Sequence, residues 1–221
     1  MSRRDSFPEI TPELMLRAYA AGIFPMAESK TADTVFWVDP RERGILPLDQ
    51  FHVPKSLRKA MRKNIFDVRC NTAFSETLAE CGRPTKGRKD TWINNDIERC
   101  VNELHDMGFA HSVECWQGNT LVGGLYGISL GSAFFGESMF SRATNASKIA
   151  LVHLVARLRL GGYRLLDTQF VTEHLEQFGV IEVPARDYLV MLEDALKYQA
   201  AFPSQSSGEQ WQTALDETLL L

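Results

Sequence analysis

The folding pattern of this chain is set by residues Leu121–Lys148, LVGGLYGISLGSAFFGESMFSRATNASK. Two apolar segments, Thr120–Leu130 and Ala133–Ser141, lie on either side of the turn signal Gly131-Ser132. Several glycines interrupt these segments, and a glycine inside a strand indicates a bulge or a close approach of another backbone. The pattern therefore predicts two neighbouring antiparallel strands, packed closely against a further element.

A helix and a third strand follow this pair. Asn145 or Thr144 provides a cap, and apolar residues then recur at helical spacing until Gly161-Gly162 end the helix. The next apolar run, Tyr163–Phe170, has the length of a strand. Strand, helix and strand in succession predict a βαβ unit, whose crossover makes its two strands parallel and usually adjacent.

Three polar residues interrupt the apolar strands of this unit. Asp167 and Gln169 lie two positions apart and should point to the same face, since side chains alternate along a strand. Glu137 lies on the preceding strand. We expect these three side chains to converge between the two strands and to form the centre of the chemistry.

Composition limits the classes of protein to consider. The chain has 221 residues, 44% hydrophobic and 24% charged, which is ordinary for a globular protein, and its net charge of −4 excludes global attraction to nucleic acid. No apolar run approaches a membrane span, and the first ten residues lack a signal-peptide core, so a cytoplasmic protein with no membrane partner is expected. The four cysteines and five histidines show no metal-ligand spacing, which predicts reduced thiols and no metal site.

The remaining elements predict an α+β fold. Thr11 and Pro12 begin a first helix, and a strand near Ile65–Cys70 precedes a helix that Asn71 should cap. We predict a small N-terminal domain (1–63), a catalytic domain (64–202) and a C-terminal tail (203–221). The last dozen residues have no assigned role, although the segment TALDETLLL is compatible with a docking helix.

Two segments concentrate positive charge. A helix near Lys55–Lys63 and a polar loop, Gly82–Asp90, are the densest basic regions. A solvated helix surface and contacts to RNA phosphates are the two interpretations of this pattern. Under the second, the candidate RNA-binding residues are Lys55, Arg58, Lys59, Arg62, Arg83 and Lys86.

Several of these segments resemble one bacterial enzyme family, the leucyl/phenylalanyl-tRNA–protein transferases. The resemblance covers about Phe7–Leu196, and its most specific part is GESMFSR followed by NASK within Gly136–Lys148. The other matching segments are Phe24-Pro25, Thr91-Trp92-Ile93, Ala110–Glu114, Leu121–Gly127 and Asp167-Thr168-Gln169. Relatives often have a paired tryptophan and Ser-Pro before Asp-Pro-Arg, whereas this chain has Phe36–Arg41, FWVDPR, with altered spacing.

The resemblance implies an activity and a fold. Such enzymes move leucine or phenylalanine, and less readily methionine, from aminoacyl-tRNA to proteins that begin with lysine or arginine, which marks them for N-end rule degradation. They use no metal, coenzyme A or other cofactor. Their fold is a small N-terminal domain followed by an acetyltransferase-like (GNAT-like) mixed-sheet domain.

The resemblance also implies residue roles. The Gln169 side-chain carbonyl accepts a hydrogen bond from the attacking amine, Asp167 holds and polarises that amide, and Glu137 positions the reactants. Phe134, Met139, Leu166 and Leu125 are implied in an apolar pocket for the donor side chain. Trp92 and Trp37 are implied at the end of the RNA, the alternative for Trp92 being a core tryptophan.

Two other functions explain the sequence less well. An acetyl-CoA-dependent acetyltransferase would need a glycine-rich pyrophosphate loop at the start of the central helix, and Ala143–Lys148 lacks one. A non-catalytic RNA-binding module would leave Glu137, Asp167 and Gln169 unexplained. A related transferase family that acts on N-terminal Asp or Glu uses a cysteine-rich N-terminal segment, whereas the first cysteine here is Cys70.

Overall fold

The structure, a computed structural model, describes residues 10–85, 87, 89–205 and 207–221. These residues combine helices with a mainly antiparallel sheet, and runs of strands and of helices follow one another, which confirms the predicted α+β class. In chain order they are α1 (Pro12–Ala20), β1 (Phe24–Met26), β2 (Phe36–Val38), β3 (Glu42–Ile45), α2 (Lys55–Met61), β4 (Asp67–Cys70), α3 (Phe74–Cys81), α4 (Asn95–Asp106), β5 (Ala110–Gln117), β6 (Thr120–Leu130), β7 (Ala133–Ser141), α5 (Ala146–Leu160), β8 (Leu165–Gln169), α6 (Glu173–Glu176), β9 (Ile181–Pro184), α7 (Ala185–Leu196) and α8 (Glu209–Leu220).

Within the described residues, seven strands form one mixed sheet in the order β4-β5-β6-β7-β8-β3-β9. In this sheet β7 and β8 are parallel, and the other neighbouring strands are antiparallel. Strands β1 and β2 form a separate antiparallel pair. The parallel pairing of β7 with β8 across α5 confirms the predicted βαβ unit.

Helices cover the large sheet on both faces. Alternate residues of one strand belong to different hydrophobic clusters, as Phe135 and Phe134 do, because successive side chains point to opposite faces. One cluster contains apolar residues of α1, α3, α4 and α7, and the other contains those of α2 and α5. The site elements β7 and β8 therefore lie between two packed layers.

The predicted close approach at the glycines of β6 is confirmed at Gly123. A Cβ built on Gly123 would lie 2.3 Å from the Cβ of Ala146, at the first residue of α5. A larger residue at position 123 would therefore push α5 away from the sheet. This contact fixes the start of the crossover helix relative to β6.

The N-terminal part is tied to the large sheet. Thr11 caps α1 by accepting a hydrogen bond from the Leu14 backbone N–H at 3.2 Å, as predicted. Strand β3 lies between β8 and β9, although it belongs to the first 63 residues. The division into three segments and the likeness to acetyltransferases stay predictions.

Two helix caps differ from the expectation. Asn71 does not cap α3: its backbone is left-handed (φ 57°), and its side-chain oxygen accepts from the Ser112 N–H at 3.0 Å. Glu114 of β5 occupies the start of α3 instead, accepting from the backbone N–H groups of Thr72 and Ala73 at 3.0 Å each. Asn145 precedes α5, but its side chain makes no capping hydrogen bond.

The C-terminal docking helix is present as α8. It packs along α5, and Trp211 covers a buried cation there, with the Arg157 guanidinium carbon 4.1 Å from the ring centroid. Burial of an aromatic ring against a guanidinium stabilises the contact through both apolar area and cation–π attraction. Helix α8 is therefore part of the packed structure.

Candidate active site

The parallel strands β7 and β8 separate at the site. Their pairing ends at Phe135 and Asp167, although β7 continues to Ser141 and β8 to Gln169. Residues from both unpaired ends line a cavity of about 590 Å³. The gap between the separated strands gives a ligand access to the interior of the sheet, where paired strands would leave no space.

The structure brings Glu137, Asp167 and Gln169 together, as the sequence predicted. The Gln169 side-chain Nε2 donates a hydrogen bond to Glu137 Oε1 at 3.3 Å, and the Gln169 backbone N–H donates to Asp167 Oδ1 at 2.8 Å. The amide that Asp167 contacts is thus the backbone amide of Gln169, rather than the side-chain amide expected from the resemblance. In the described part of the chain, no residue donates a hydrogen bond to the Gln169 side-chain carbonyl oxygen.

Asp167 is fully buried behind the cavity wall, among donors that the sequence analysis did not find. Arg43 of β3 donates through Nε at 3.0 Å to Oδ1 and through Nη2 at 2.6 Å to Oδ2. The Tyr188 hydroxyl of α7 donates to Oδ2 at 2.6 Å. Burial lowers the pKa of Arg43, but the bond and the charge of Asp167 outweigh it, and the net effect raises that pKa.

Glu137 faces the cavity and is the one acidic side chain among the described residues that line it. Burial raises its pKa to about 8, opposed by a hydrogen bond from Tyr19 and the charge of Arg43. Burial and, to a smaller extent, the nearby Glu137 raise the pKa of Tyr19. The Tyr19 hydroxyl therefore keeps its proton and acts as a hydrogen-bond donor. Burial thus favours the neutral carboxyl form of Glu137, and an approaching cation favours the carboxylate.

The rest of the cavity is mainly apolar. Leu125, Met139 and Leu166 line it as predicted. Phe134 does not, although it faces the same layer as Leu125 and Leu166: it is fully buried in the core, where Tyr163 packs edge-on and Phe202 stacks against its ring. Further wall residues that the sequence did not identify include Phe24, Met26, Tyr126, Phe140, Leu151, Leu154 and Phe170.

The two tryptophans lie in different settings. Trp92 is half-buried and lines the cavity, and its backbone carbonyl accepts a hydrogen bond from Ala27 N–H at 3.0 Å. Trp37 lies on β2 with 37% of its surface exposed, outside the cavity wall. The structure therefore places Trp92 beside the predicted chemistry and leaves Trp37 on the surface.

None of the candidate RNA-binding residues that the structure describes lines the cavity. Lys55 and Lys59 on α2 are exposed, as is Arg62 directly after it, and the Arg58 Nε donates to the Val53 carbonyl at 2.9 Å. Arg83 is exposed and forms an ion pair with Glu80 at 3.2 Å. Lys86 lies outside the described residues.

Residues 10–85, 87, 89–205 and 207–221 contain neither a metal-binding cluster nor a membrane-spanning helix. No group of three or more potential ligand side chains among them could hold a metal ion. None of the helices in the same residues has the length and apolar content to span a bilayer.

Fold and site together define the class: an α+β protein with an apolar cavity at the separation of two parallel strands, where a carboxyl group and an amide meet. Sequence comparisons place it more closely. The family profile "Leucyl/phenylalanyl-tRNA protein transferase" matches residues 45–193, and the profile of that family's N-terminal domain matches residues 8–41. The chain belongs to the leucyl/phenylalanyl-tRNA–protein transferase family, and it is an aminoacyl-tRNA transferase.

Individual relatives support this assignment over nearly the full length. A leucyl/phenylalanyl-tRNA–protein transferase of Paramagnetospirillum magneticum is 58% identical over 206 residues, which cover 93% of this chain and 98% of the relative. One of Maricaulis maris is 53% identical over 209 residues, 93% and 97% of the two chains. One of Rhizorhabdus wittichii is 58% identical over 187 residues, 85% and 75% of the two chains.

Proposed function

We propose that this enzyme transfers leucine or phenylalanine, and less readily methionine, from aminoacyl-tRNA to the α-amino group of proteins that begin with lysine or arginine. The product would carry a signal for N-end rule degradation in the cytoplasm. The observation that carries the proposal is the contact between Gln169 and Glu137 at 3.3 Å beside an apolar cavity, in a chain of this family.

The chemistry requires orientation more than activation. The donor is an ester, and the acceptor is an α-amine with an ordinary pKa of about 8, so a useful fraction is neutral near pH 7. The amine nitrogen attacks the ester carbonyl carbon and loses a proton, a peptide bond forms, and the ribose oxygen of the tRNA leaves with a proton. Correct placement of the two reactants supplies up to about 7–11 kcal/mol in favourable cases.

The site residues divide this task between them. The Gln169 carbonyl oxygen accepts a hydrogen bond from the attacking amine and aims its lone pair at the ester. Glu137 holds the Gln169 amide group and, on ionising, stabilises an ammonium group nearby. Asp167 holds the Gln169 backbone. No covalent intermediate on the protein is needed, because the ester is already activated.

The apolar wall selects the donated residue. Met139 is unbranched and adaptable, which lets one cavity accept leucine, phenylalanine and methionine. A β-branched side chain places bulk beside the ester carbonyl, where Gln169 and Glu137 need close approach. Loss of a methylene contact changes the binding free energy by only about 1–3 kcal/mol, so the cavity should discriminate against valine only partly. A charged lysine side chain should be excluded more strongly by desolvation.

The test is transfer of labelled amino acids to a peptide that begins with arginine. Transfer should be fastest from tRNA charged with leucine or phenylalanine and slower with methionine. It should be poor with isoleucine or valine and absent with lysine. A matched peptide with N-terminal acetylation should accept nothing, and acetyl-CoA should not replace the tRNA donor. Equal use of valine and leucine, or of the free and blocked peptides, would contradict the proposal.

The basic face of α2 is proposed to contact the acceptor end of the tRNA. Neutralising Lys55 and Lys59 together should weaken donor binding and reduce the slope of log affinity against log salt by about 0.7–0.9 per lost phosphate contact. The matched control neutralises Arg186 on α7 and Lys197 directly after it, which are similarly exposed. Binding titrations with leucyl-tRNA at several salt concentrations measure both slopes. Equal slopes in the two double variants would place the RNA elsewhere.

A further inference from the structure

Asp167 has no bonding capacity left for a substrate. The carboxylate has about four acceptor sites, and four donors of the protein fill them: the Gln169 backbone N–H, Arg43 Nε, Arg43 Nη2 and the Tyr188 hydroxyl. Its side chain is 0% exposed and lies outside the cavity wall. Whatever Asp167 contributes to transfer must therefore pass through one of these four bonds.

One of the four bonds leads to the reacting group. Gln169 has a left-handed backbone (φ 57°), and Phe170 N–H donates to the Thr168 carbonyl at 2.6 Å, which closes a tight three-residue turn around Gln169. A residue other than glycine rarely adopts this conformation, and such strain persists only where neighbouring bonds enforce it. The Asp167 carboxylate supplies that bond by accepting from the N–H two residues along the chain.

The carboxylate is itself fixed from two directions. Arg43, 1% exposed, also donates through Nη1 to the Gly22 carbonyl at 2.9 Å, and its guanidinium carbon lies 4.6 Å from the ring centroids of both Phe24 and Tyr188. Strand β3 brings Arg43 to this point by pairing Gly44 with Gln169. The Arg43 guanidinium and the Tyr188 hydroxyl together hold the Asp167 carboxylate in a single orientation.

We propose that Arg43 and Tyr188 are positioning residues for the transfer reaction, acting through Asp167 to hold the backbone of Gln169 in its left-handed turn and so direct its side chain to Glu137. Asp167 then acts as a structural acceptor for an N–H group, and its charge is matched by Arg43. The reaction role rests on the function proposed above for Gln169.

The experiment compares four variants with the wild type: Tyr188→Phe, Arg43→Met, Asp167→Asn, and Arg43→Met combined with Asp167→Asn. Arg164→Met is the matched control, because Arg164 forms an exposed ion pair with Asp194 at 3.2 Å. Two readouts are independent: the single-turnover rate of leucine transfer with donor affinity measured separately, and hydrogen exchange of the Gln169 backbone N–H by NMR.

Tyr188→Phe should slow transfer about tenfold and speed exchange of the Gln169 N–H, with donor affinity unchanged, since one hydrogen bond to the carboxylate is lost. Arg43→Met should slow transfer further, because it leaves the buried carboxylate without its counter-charge. In the double variant, the asparagine oxygen still accepts from Gln169 N–H and its NH₂ group faces Tyr188. The double variant should therefore transfer at least fivefold faster than Arg43→Met alone.

Two results would overturn the proposal. One is a double variant no faster than Arg43→Met, which would mean that the charge of Asp167 serves the reaction directly. The other is unchanged transfer and unchanged Gln169 exchange in Tyr188→Phe, a variant that removes only one oxygen. Failure of the proposed function is distinct: the wild type would transfer no leucine, while exchange at Gln169 would still respond to Tyr188→Phe and support the positioning network.

Discussion

Replacing Gln169 with alanine should reduce the single-turnover rate of leucine transfer by about two orders of magnitude or more, in the range found when an acid–base or orienting group is removed. The variant loses the carbonyl oxygen proposed to orient the attacking amine and the Nε2 bond to Glu137 at 3.3 Å. Binding of the donor tRNA should change much less, because the apolar wall and the basic face of α2 stay intact.

Two further variants separate the chemical group from its placement. Gln169→Asn keeps an amide and tolerates a left-handed backbone, but its side chain is one methylene shorter and should not reach Glu137. It should therefore be nearly as slow as Gln169→Ala. Gln212→Ala on the exposed face of α8 is the matched control and should transfer normally. A near-normal rate for Gln169→Ala, with the fold intact, would remove Gln169 from the mechanism.

The parts of the site that lie on consecutive elements were predictable from the sequence. Turn residues, glycines and a change from strand to helical spacing identify β7, α5 and β8, and a crossover between adjacent strands makes them parallel. Glu137 and Gln169 therefore had to lie on neighbouring strands. Their meeting follows from the local pattern and the topology that it determines.

The partners of Asp167 could not be found in this way. Arg43 is 124 positions from Asp167 in the chain and reaches it because β3 inserts between β8 and β9, a long-range pairing that no periodicity in Glu42–Ile45 reveals. Tyr188 lies on α7 among other apolar residues and looks like an ordinary core position. The sequence signal for Arg43 was its position beside Gly44 in the short strand β3, where a charged residue is unexpected.

Orientation within a strand was also open. Phe134 and Phe135 are adjacent and equally apolar, and only the register between β7 and β8 decides which of them faces which layer. Phe134 does face the layer of the wall residues Leu125 and Leu166, and its prediction in the cavity wall failed because Tyr163 and Phe202 cover its ring, long-range contacts that the local pattern does not reveal. The predicted cap of α3 was wrong because Asn71 fits the local cap pattern, whereas Glu114 lies 41 residues from Ala73 in the chain and reaches it through the β4–β5 pairing.

Glu114 gives the largest expected change in stability. Its carboxylate is fully buried and accepts hydrogen bonds from the Thr72 and Ala73 N–H groups at 3.0 Å and from the Ser112 hydroxyl at 2.7 Å. The Thr72 hydroxyl donates to its second oxygen. It thus satisfies backbone donors at the positive end of α3, where Ala73 at the cap position has no side-chain acceptor.

Glu114→Ala should lower the free energy of unfolding by about 3 kcal/mol, because the buried Ser112 hydroxyl and the partly buried donors of Thr72 and Ala73 all lose their acceptor, and an unsatisfied buried donor costs about 1–3 kcal/mol. Glu114→Gln should lower it less, since one oxygen still accepts from the two backbone N–H groups. The new NH₂ group faces the Thr72 hydroxyl, which can turn to accept, and loses only the long contact from Trp116 Nε1–H at 3.4 Å. The matched control is Glu76→Ala, which removes an exposed acid from the first turn of the same helix and should cost at most about 1 kcal/mol. Urea unfolding followed by circular dichroism measures all three differences. A loss for Glu114→Ala as small as that for Glu76→Ala would show that water, entering from the surface, replaces the carboxylate at the start of α3.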